Sequence, residues 1–198
     1  MTSSSASHDT LKRWLHESAE ALRGVDIASV ARAVELLVTV RARGGVIYTA
    51  GNGGSAATAS HLALDLQKAA GTRAVALSDN PGLITAWAND ASFDRVFAEQ
   101  LEVLGRPEDG LVVISVSGSS PNVIALLEVA RAKGIVSVGL LGKEGGRARG
   151  LVNAAVVVPS DDYGWVESAH SALHHVLAYA LRESVSVLRT PLKKVATQ

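Results

Sequence analysis

Five short apolar runs, rich in β-branched residues, recur along the chain, and helical patterns separate most of them. Each run ends in glycine, serine or aspartate; the five are GVIYTAG, RAVALSD, LVVISVSG, VSVGLLG and AAVVVPSD. Strands that are apolar on both faces and alternate with helices are typical of a parallel sheet that helices cover on both sides. The pattern therefore predicts an α/β domain with a three-layer α/β/α architecture and a five-stranded parallel sheet.

Helical spacing at the two ends of the chain indicates the limits of this domain. Apolar residues recur at helical spacing over residues 8–24 and again over 26–44, which predicts two N-terminal helices before the first strand. A long final helix is predicted from about residue 163 to residue 187. We therefore predict a disordered tail at 1–7, a single domain at 8–190 that consists of N-terminal helices (8–44) and an α/β core (45–190), and a C-terminal tail at 191–198.

Composition excludes several classes of partner. The 19 basic and 19 acidic residues cancel, which disfavours wholesale attraction to nucleic acid or to an anionic membrane. No apolar stretch approaches the ~18 residues that a membrane span needs, and the N-terminus has no secretory pattern. The absence of cysteine excludes disulfides, thiolate metal sites and cysteine nucleophiles. We therefore expect a cytoplasmic protein with no nucleic-acid and no membrane partner.

The first unusual loop follows the first predicted strand and reads GNGGS, from Gly51 to Ser55. Glycines can adopt positive φ and let a ligand approach main-chain N–H groups closely. Ser55 is predicted to cap the following helix, whose N-terminus favours an anion. A tight strand-to-helix turn is the plainer alternative, but three glycines around an asparagine favour a ligand-binding loop.

The second unusual loop follows the LVVI strand and reads SVSGSSPN, from Ser115 to Asn122. Pro121 suits the first position of a helix, with Ser120 as its N-cap. Hydroxyl groups and free N–H groups at a helix N-terminus can hold a phosphate without a lysine. A turn that is merely capped needs one serine rather than four, so the loop predicts phosphate binding.

Histidines and carboxylates form a third signal, on two predicted helices. His61 and Asp65 are four residues apart and share one helix face. The final helix carries Glu167, His170, His174 and His175. Imidazole and carboxylate groups from two helices can form a Zn²⁺ site with nitrogen and oxygen ligands. Solvated or packed histidines are the alternative. The spacing leaves open which late histidine takes part, because Glu167 and His174 face the same way while His175 lies about 80° round the helix.

Together these residues resemble the phosphoheptose isomerase family of the sugar isomerase (SIS) domain superfamily. The resemblance runs from about residue 10 to about residue 187 and is carried by the late acid-and-histidine helix and three motifs, AGNGGSAATASH followed by Asp65, ANDASFDRVF and SVSGSSPN. It implies a flavodoxin-like SIS fold and a homotetramer whose active sites lie between subunits. It also gives a role to Asn89 and Asp90, which by themselves indicate only a turn pair.

The resemblance implies functional residues at matching positions. Substrate contacts are expected at Asn52, Gly53, Gly54, Ser55, Asp65, Asn89, Asp90, Ser115, Val116, Ser117, Ser120 and Glu167. One Zn²⁺ per subunit is expected at His61, Asp65, Glu167 and His175. An ungapped alignment with the family's pattern places His175, rather than His174, at the position of the ligand histidine, although His174 is the one that shares a helix face with Glu167.

Three departures from the family's pattern bear on these expectations. The family has Glu where this chain has Asp65, and Gln-Glu where it has Glu167-Ser168. Withdrawing a carboxylate by one methylene costs rate, while the added charge of Glu167 should tighten a divalent ion, so the two changes can compensate. Tyr163 and Trp165 stand where the family usually has Thr and Arg, which concerns the sugar end of the substrate.

The reaction that the resemblance implies converts D-sedoheptulose 7-phosphate to D-glycero-D-manno-heptose 7-phosphate through a cis-enediol. Such a reaction needs a base, an acid and stabilisation of the developing oxyanion. We expect Asp65 and His175 to share the acid–base work, in roles that can be exchanged. The alternatives are an isomerase of another long-chain ketose phosphate and a non-catalytic SIS tetramer that binds the replication initiator protein.

Overall fold

The computed structural model describes residues 7–189 and contains one five-stranded parallel sheet in the order β2-β1-β3-β4-β5. The strands are β1 (Ile47–Gly51), β2 (Ala74–Ala76), β3 (Gly110–Ser115), β4 (Val136–Gly142) and β5 (Ala154–Val158). All four strand pairs are parallel. The sheet and its strand number confirm the prediction from the alternating apolar runs.

Seven α-helices lie between and around the strands of the described part. They are α1 (His8–Arg23), α2 (Ile27–Ala42), α3 (Gly54–Lys68), α4 (Pro81–Asp90), α5 (Ala98–Leu104), α6 (Pro121–Ala132) and α7 (Tyr163–Arg189), with single 3₁₀ turns at Phe93–Arg95 and Arg147–Gly150. The two predicted helices before the first strand are confirmed. Ser7 and Asp26 cap α1 and α2. Apart from Ser7, the predicted tails at 1–7 and 191–198 lie outside the described part.

The core consists of two apolar clusters, one on each face of the sheet. In β3, Val112 and Ile114 belong to one cluster, whereas Leu111 and Val113 belong to the other. Successive side chains of a strand point to opposite faces, so a strand covered on both sides must be apolar at every position. This explains the continuous apolar runs in the sequence. None of the helices within residues 7–189 combines the length and apolar character required to cross a membrane.

The sheet places the two unusual loops side by side. The chain leaves β1 for β2 in one direction across the sheet, while β3 continues to β4 in the other. Ligands of open α/β sheets bind at such a switch point, beyond the carboxyl ends of the strands. On one face of the sheet α3 packs directly against α7, which brings the predicted imidazole and carboxylate residues of the two helices together.

Candidate active site

The glycine loop, residues 51–54, makes a sharp turn between β1 and α3. Gly53 has φ 55° and ψ −124° and is the N-cap of the helix, which begins at Gly54. A left-handed φ of this kind favours glycine. The prediction that Ser55 caps α3 is wrong, because Ser55 lies buried inside the first turn. The helix therefore begins without a side chain that caps its first amides, which suits a loop that binds a ligand through its main chain.

The serine loop, residues 115–120, is braced by its own hydroxyl groups. The Oγ atoms of Ser115 and Ser117 accept hydrogen bonds from the amides of Gly118 and Ser119, at 3.1 and 3.3 Å. The Oγ of Ser119 accepts from the amide of Arg147 at 3.2 Å. Three of the four serines thus shape the loop, although each hydroxyl proton stays available to an acceptor such as a phosphate oxygen.

Ser120 differs from the other three serines because its hydroxyl group does not brace the loop. It is the N-cap of α6, and Pro121 occupies the first turn, as predicted. Its side chain caps no amide of the helix and makes no hydrogen bond within residues 7–189. A free hydroxyl at a helix N-terminus is a suitable donor for an anion.

Gly118 allows the serine loop to pack against the loop that follows β4. Its φ is 58°, and a Cβ added there would lie 2.1 Å from the carbonyl oxygen of Gly145. We expect Gly118→Ala to lower the free energy of unfolding by at least ~2 kcal/mol, because backbone strain and a steric clash add together. Gly134→Ala is the matched control, since Gly134 has φ 71° but no atom within 4 Å of the added Cβ. Urea denaturation of the two variants measures the difference; equal losses would contradict the proposed clash.

A small pocket lies where the two loops meet α7. It has a volume of about 100 Å³ and is lined by Asn52, Ser55, Ile114, Ser115, Val116, Ser117, Ser120, Tyr163 and Glu167. Most of the residues that were expected to contact a substrate are therefore brought together. Since pockets for whole ligands usually measure about 300–1,000 Å³, this one has room for only part of a ligand.

Glu167 lies in this pocket, against the beginning of α3. Its carboxylate oxygens are 2.7 Å from the position that a Cβ on Gly54 would occupy. A carboxylate is stabilised near a helix N-terminus by the helix dipole. This position differs from the expected one, because Glu167 does not join the other three predicted zinc ligands.

Four side chains of α3 and α7 form a compact cluster of potential metal ligands. His61, Asp65, His174 and His175 each offer one ligand atom, and these atoms lie within 4.8 Å of one another. Asp65 Oδ2 is at the centre, 3.0 Å from His175 Nδ1 and 3.6 Å from His174 Nε2. His61 Nε2 lies 3.7 Å from the same oxygen, as the spacing of four residues predicted.

His174 joins the cluster in addition to His175, which the spacing left open. Its side chain is 1% exposed and neither ring nitrogen has a hydrogen-bond partner. Burial, together with the neighbouring His175 and His61 rings, lowers the pKa of His174 to about 4. The ring is therefore neutral at pH 7, the form that binds a metal ion. Three imidazoles and one carboxylate are a donor set that suits Zn²⁺.

Two other groups of predicted residues take different positions. Asn89 and Asp90 lie exposed in the last turn of α4 and hydrogen-bond to each other at 2.8 Å, away from the pocket lining. Tyr163 begins α7 at the pocket edge, with the Lys143 ammonium group 5.6 Å from its ring centroid. Trp165 packs against the core. The departure at Tyr163 thus affects the pocket, whereas the departure at Trp165 affects packing.

Asn122 is a residue of the site that the sequence pattern did not identify. Its side-chain amide forms two reciprocal hydrogen bonds with that of Asn52, each 2.8 Å long. Asn122 is 1% exposed, in the first turn of α6. A single polar residue after a proline carries no sequence signal of such a partner 70 residues away.

Comparisons with known proteins agree with the geometry. A family model described as the SIS domain matches residues 13–142. The phosphoheptose isomerase of Trichlorobacter lovleyi is 39% identical over 163 residues, which cover 80% of this chain and 83% of that protein. The phosphoheptose isomerase of Solidesulfovibrio magneticus is 44% identical over 158 residues, covering 77% and 74%. The solved structure of phosphoheptose isomerase from Neisseria gonorrhoeae has a TM-score of 0.83 at 31% identity and covers 88% of this chain and 98% of that one. The chain therefore belongs to the phosphoheptose isomerase family of SIS-domain enzymes.

Proposed function

We propose that this sugar-phosphate isomerase converts D-sedoheptulose 7-phosphate to D-glycero-D-manno-heptose 7-phosphate. The observation that carries the proposal is the pairing of two features on α3 and α7. A small pocket lies at the N-terminal ends of the two helices, and a cluster of four potential metal ligands lies nearer their C-terminal ends. Glu167 in the pocket and His174 in the cluster are seven residues apart, or about 10 Å along the helix. A phosphorylated sugar chain has an anion and a reacting carbonyl group at opposite ends, which fits this separation.

The pocket is proposed to hold the phosphate and the adjoining part of the sugar. The Ser120 hydroxyl and the N-terminus of α6 supply donors for the phosphate, and the Ser115 and Ser117 hydroxyls add their protons. Glu167 accepts hydrogen bonds from sugar hydroxyls at the other wall. Holding the distant phosphate converts binding energy into orientation of the reacting carbons.

The cluster is proposed to bind one Zn²⁺ per subunit through His61, Asp65, His174 and His175. This set replaces the expected Glu167 with His174 and suits the cation, because the buried His174 has two nitrogens without partners. A bound divalent ion supplies Lewis-acid polarisation of the carbonyl and hydroxyl oxygens. Asp65 contributes the one negative charge of the set, which makes its carboxylate the group most needed for affinity.

Proton transfer is proposed for the pair formed by Asp65 and His175, whose Oδ2 and Nδ1 atoms are 3.0 Å apart. One member removes the C1 proton of the ketose, the C1–H electrons form the C1=C2 bond of a cis-enediol, and the C2 oxygen takes up a proton. Return of a proton to C2 and loss of the O1 proton give the aldose. A carboxylate and an imidazole can each act as general acid or general base in such a sequence.

We also propose a homotetramer with active sites between subunits. The outer face of α1 leaves Leu11, Trp14 and Leu15 exposed at 53%, 45% and 66%. Exposed apolar patches of this kind are typical of protein interfaces. The small pocket also leaves most of a seven-carbon sugar uncovered, so a neighbouring subunit, through residues such as Asn89 and Asp90, is the proposed source of the missing wall. A cytoplasmic location fits a substrate of this class.

The proposed substrate is tested by assaying the purified chain with D-sedoheptulose 7-phosphate beside an eight-carbon ketose phosphate. We expect turnover of the heptulose phosphate, loss of turnover on treatment with a chelator and recovery on addition of Zn²⁺. Preference for the longer substrate would favour the alternative isomerase, in keeping with Tyr163 at the pocket edge. No turnover of either sugar, no bound metal and stoichiometric binding of a replication initiator would instead favour the non-catalytic tetramer.

A further inference from the structure

We propose that Asn122 is a positioning residue whose reciprocal amide pair with Asn52 makes the glycine loop and the serine loop grip a phosphate as one unit. The two hydrogen bonds run in opposite directions, from each Nδ2 to the other Oδ1, at 2.8 Å. Each primary amide carries a donor and an acceptor, so two of them can pair reciprocally in this way. The side chain of Asn52, expected to contact substrate, is thus used to join the loops.

The position of the pair explains why it matters. Asn52 directly precedes Gly53, the N-cap of α3, and Asn122 lies two residues beyond Ser120, the N-cap of α6. The pair therefore ties together the beginnings of two helices that pack on opposite faces of the sheet. Outside the ladder between β1 and β3, these are the only hydrogen bonds within residues 7–189 that join residues 51–54 to residues 115–122.

Breaking the pair carries a high free-energy cost. Asn122 is almost fully buried, so removal of Asn52 would leave an amide without a partner in a place that water does not reach. A buried polar group without a partner costs more than the net value of the hydrogen bond itself. The pair is therefore expected to fix the two loops in one relative position before a ligand binds.

The inference rests on the proposed function, in which the pocket between the loops binds the substrate's phosphate. That pocket takes lining residues from the glycine-loop side (Asn52, Ser55) and from the serine loop. Because both loops line the pocket, a shift of one loop against the other changes the pocket's shape, and a bound anion then loses well-aligned hydrogen bonds. The amide pair is thus expected to set affinity for the phosphate end rather than the rate at the reacting carbons.

The test uses inorganic phosphate as the probe, measured by titration calorimetry and as an inhibitor of turnover. We expect Asn122→Ala to weaken phosphate binding about tenfold or more and to raise KM for the sugar phosphate similarly, with a much smaller change in kcat. Asn52→Ala should have the same effect, and the double variant should add little, because both remove one interaction. Asn122→Asp keeps only the acceptor of the pair and adds a negative charge near the anion, so it should not restore the affinity.

Asn153→Ala is the matched control. Asn153 Oδ1 accepts from the Ser137 amide at 2.8 Å and joins two elements at the opposite edge of the sheet. This variant should lower the unfolding midpoint and leave phosphate binding unchanged. Asn52→Ala, at the half-buried partner, keeps the test open if Asn122→Ala does not fold. A folded Asn122→Ala that binds phosphate like the wild type would overturn this inference alone, whereas a wild type that binds no phosphate would overturn the proposed function with it.

Discussion

Asp65→Asn is expected to lower metal affinity at least ~100-fold and turnover between about 10²- and 10⁴-fold. The carboxylate oxygen Oδ2 lies within 3.7 Å of three imidazoles, from His61, His174 and His175. The substitution keeps the size of the side chain and removes the one negative charge of the cluster. Metal analysis of the dialysed protein measures the loss of metal affinity, and steady-state assay at saturating metal measures the loss of turnover.

Two companion variants make this result specific. Asp65→Glu keeps the charge and restores the residue of the family's pattern, so it should retain metal and most activity. Glu99→Gln removes a half-buried carboxylate on α5 that pairs with Arg95 of the preceding 3₁₀ turn, and both metal content and turnover should stay at the wild-type level. An Asp65→Asn protein with normal metal content and turnover would remove Asp65 from both of its proposed roles.

Acid is expected to destabilise the metal-free fold through His170. This residue of α7 is 0% exposed, neither ring nitrogen has a hydrogen-bond partner, and burial lowers its pKa to about 4. Above pH ~6.5 the ring is neutral in both the folded and the unfolded chain, so the fold keeps its full stability. As the pH falls from 6.5 towards 4, only the unfolded chain takes up the proton, and stability is lost. One such histidine costs about 2 kcal/mol between pH 7 and pH 5.

His170→Leu is the variant that isolates this contribution. Between pH 7 and pH 5, the free energy of unfolding should fall less for this variant than for the wild type. The difference should be about 2 kcal/mol, because no proton can bind at position 170. Chelated samples exclude metal binding, and the contribution of His174 cancels in the difference. His16→Gln, at an exposed position on α1, should leave the pH dependence as it is. Parallel curves for His170→Leu and wild type would show that position 170 does not titrate on unfolding.

The sequence predicts the fold well because the relevant signals are local. The apolar runs that form β1, β3, β4 and β5 are continuous because both faces of the sheet are covered. Asp26 caps α2 by accepting hydrogen bonds from the amides two and three residues further along the chain. The error at Ser55 has a local cause too. Serine is a preferred N-cap, but the chain reaches α3 through Gly53 in a left-handed conformation, two residues earlier.

The candidate site was predicted less completely, because its contacts join distant segments. Spacing placed His61 and Asp65 on one face of a helix, and that prediction is confirmed by their 3.7 Å approach. Spacing could not choose between His174 and His175, since the answer depends on how α7 is rotated against α3. In the fold both histidines reach Asp65, from positions about 100° apart on the helix.

The chain order of apolar, glycine and serine residues by itself determines a parallel sheet with a glycine loop and a serine loop at the carboxyl ends of its strands, because strand period, helix period and turn chemistry act over a few residues. Which acid meets which imidazole is decided only when α3 and α7 pack together, which places Glu167 at the pocket and His174 at the cluster. The pairing of Asn52 with Asn122 likewise exists only because β1 and β3 are neighbours in the sheet. Side-chain contacts across some 70 residues carry no periodic signal, so the tertiary structure alone reveals them.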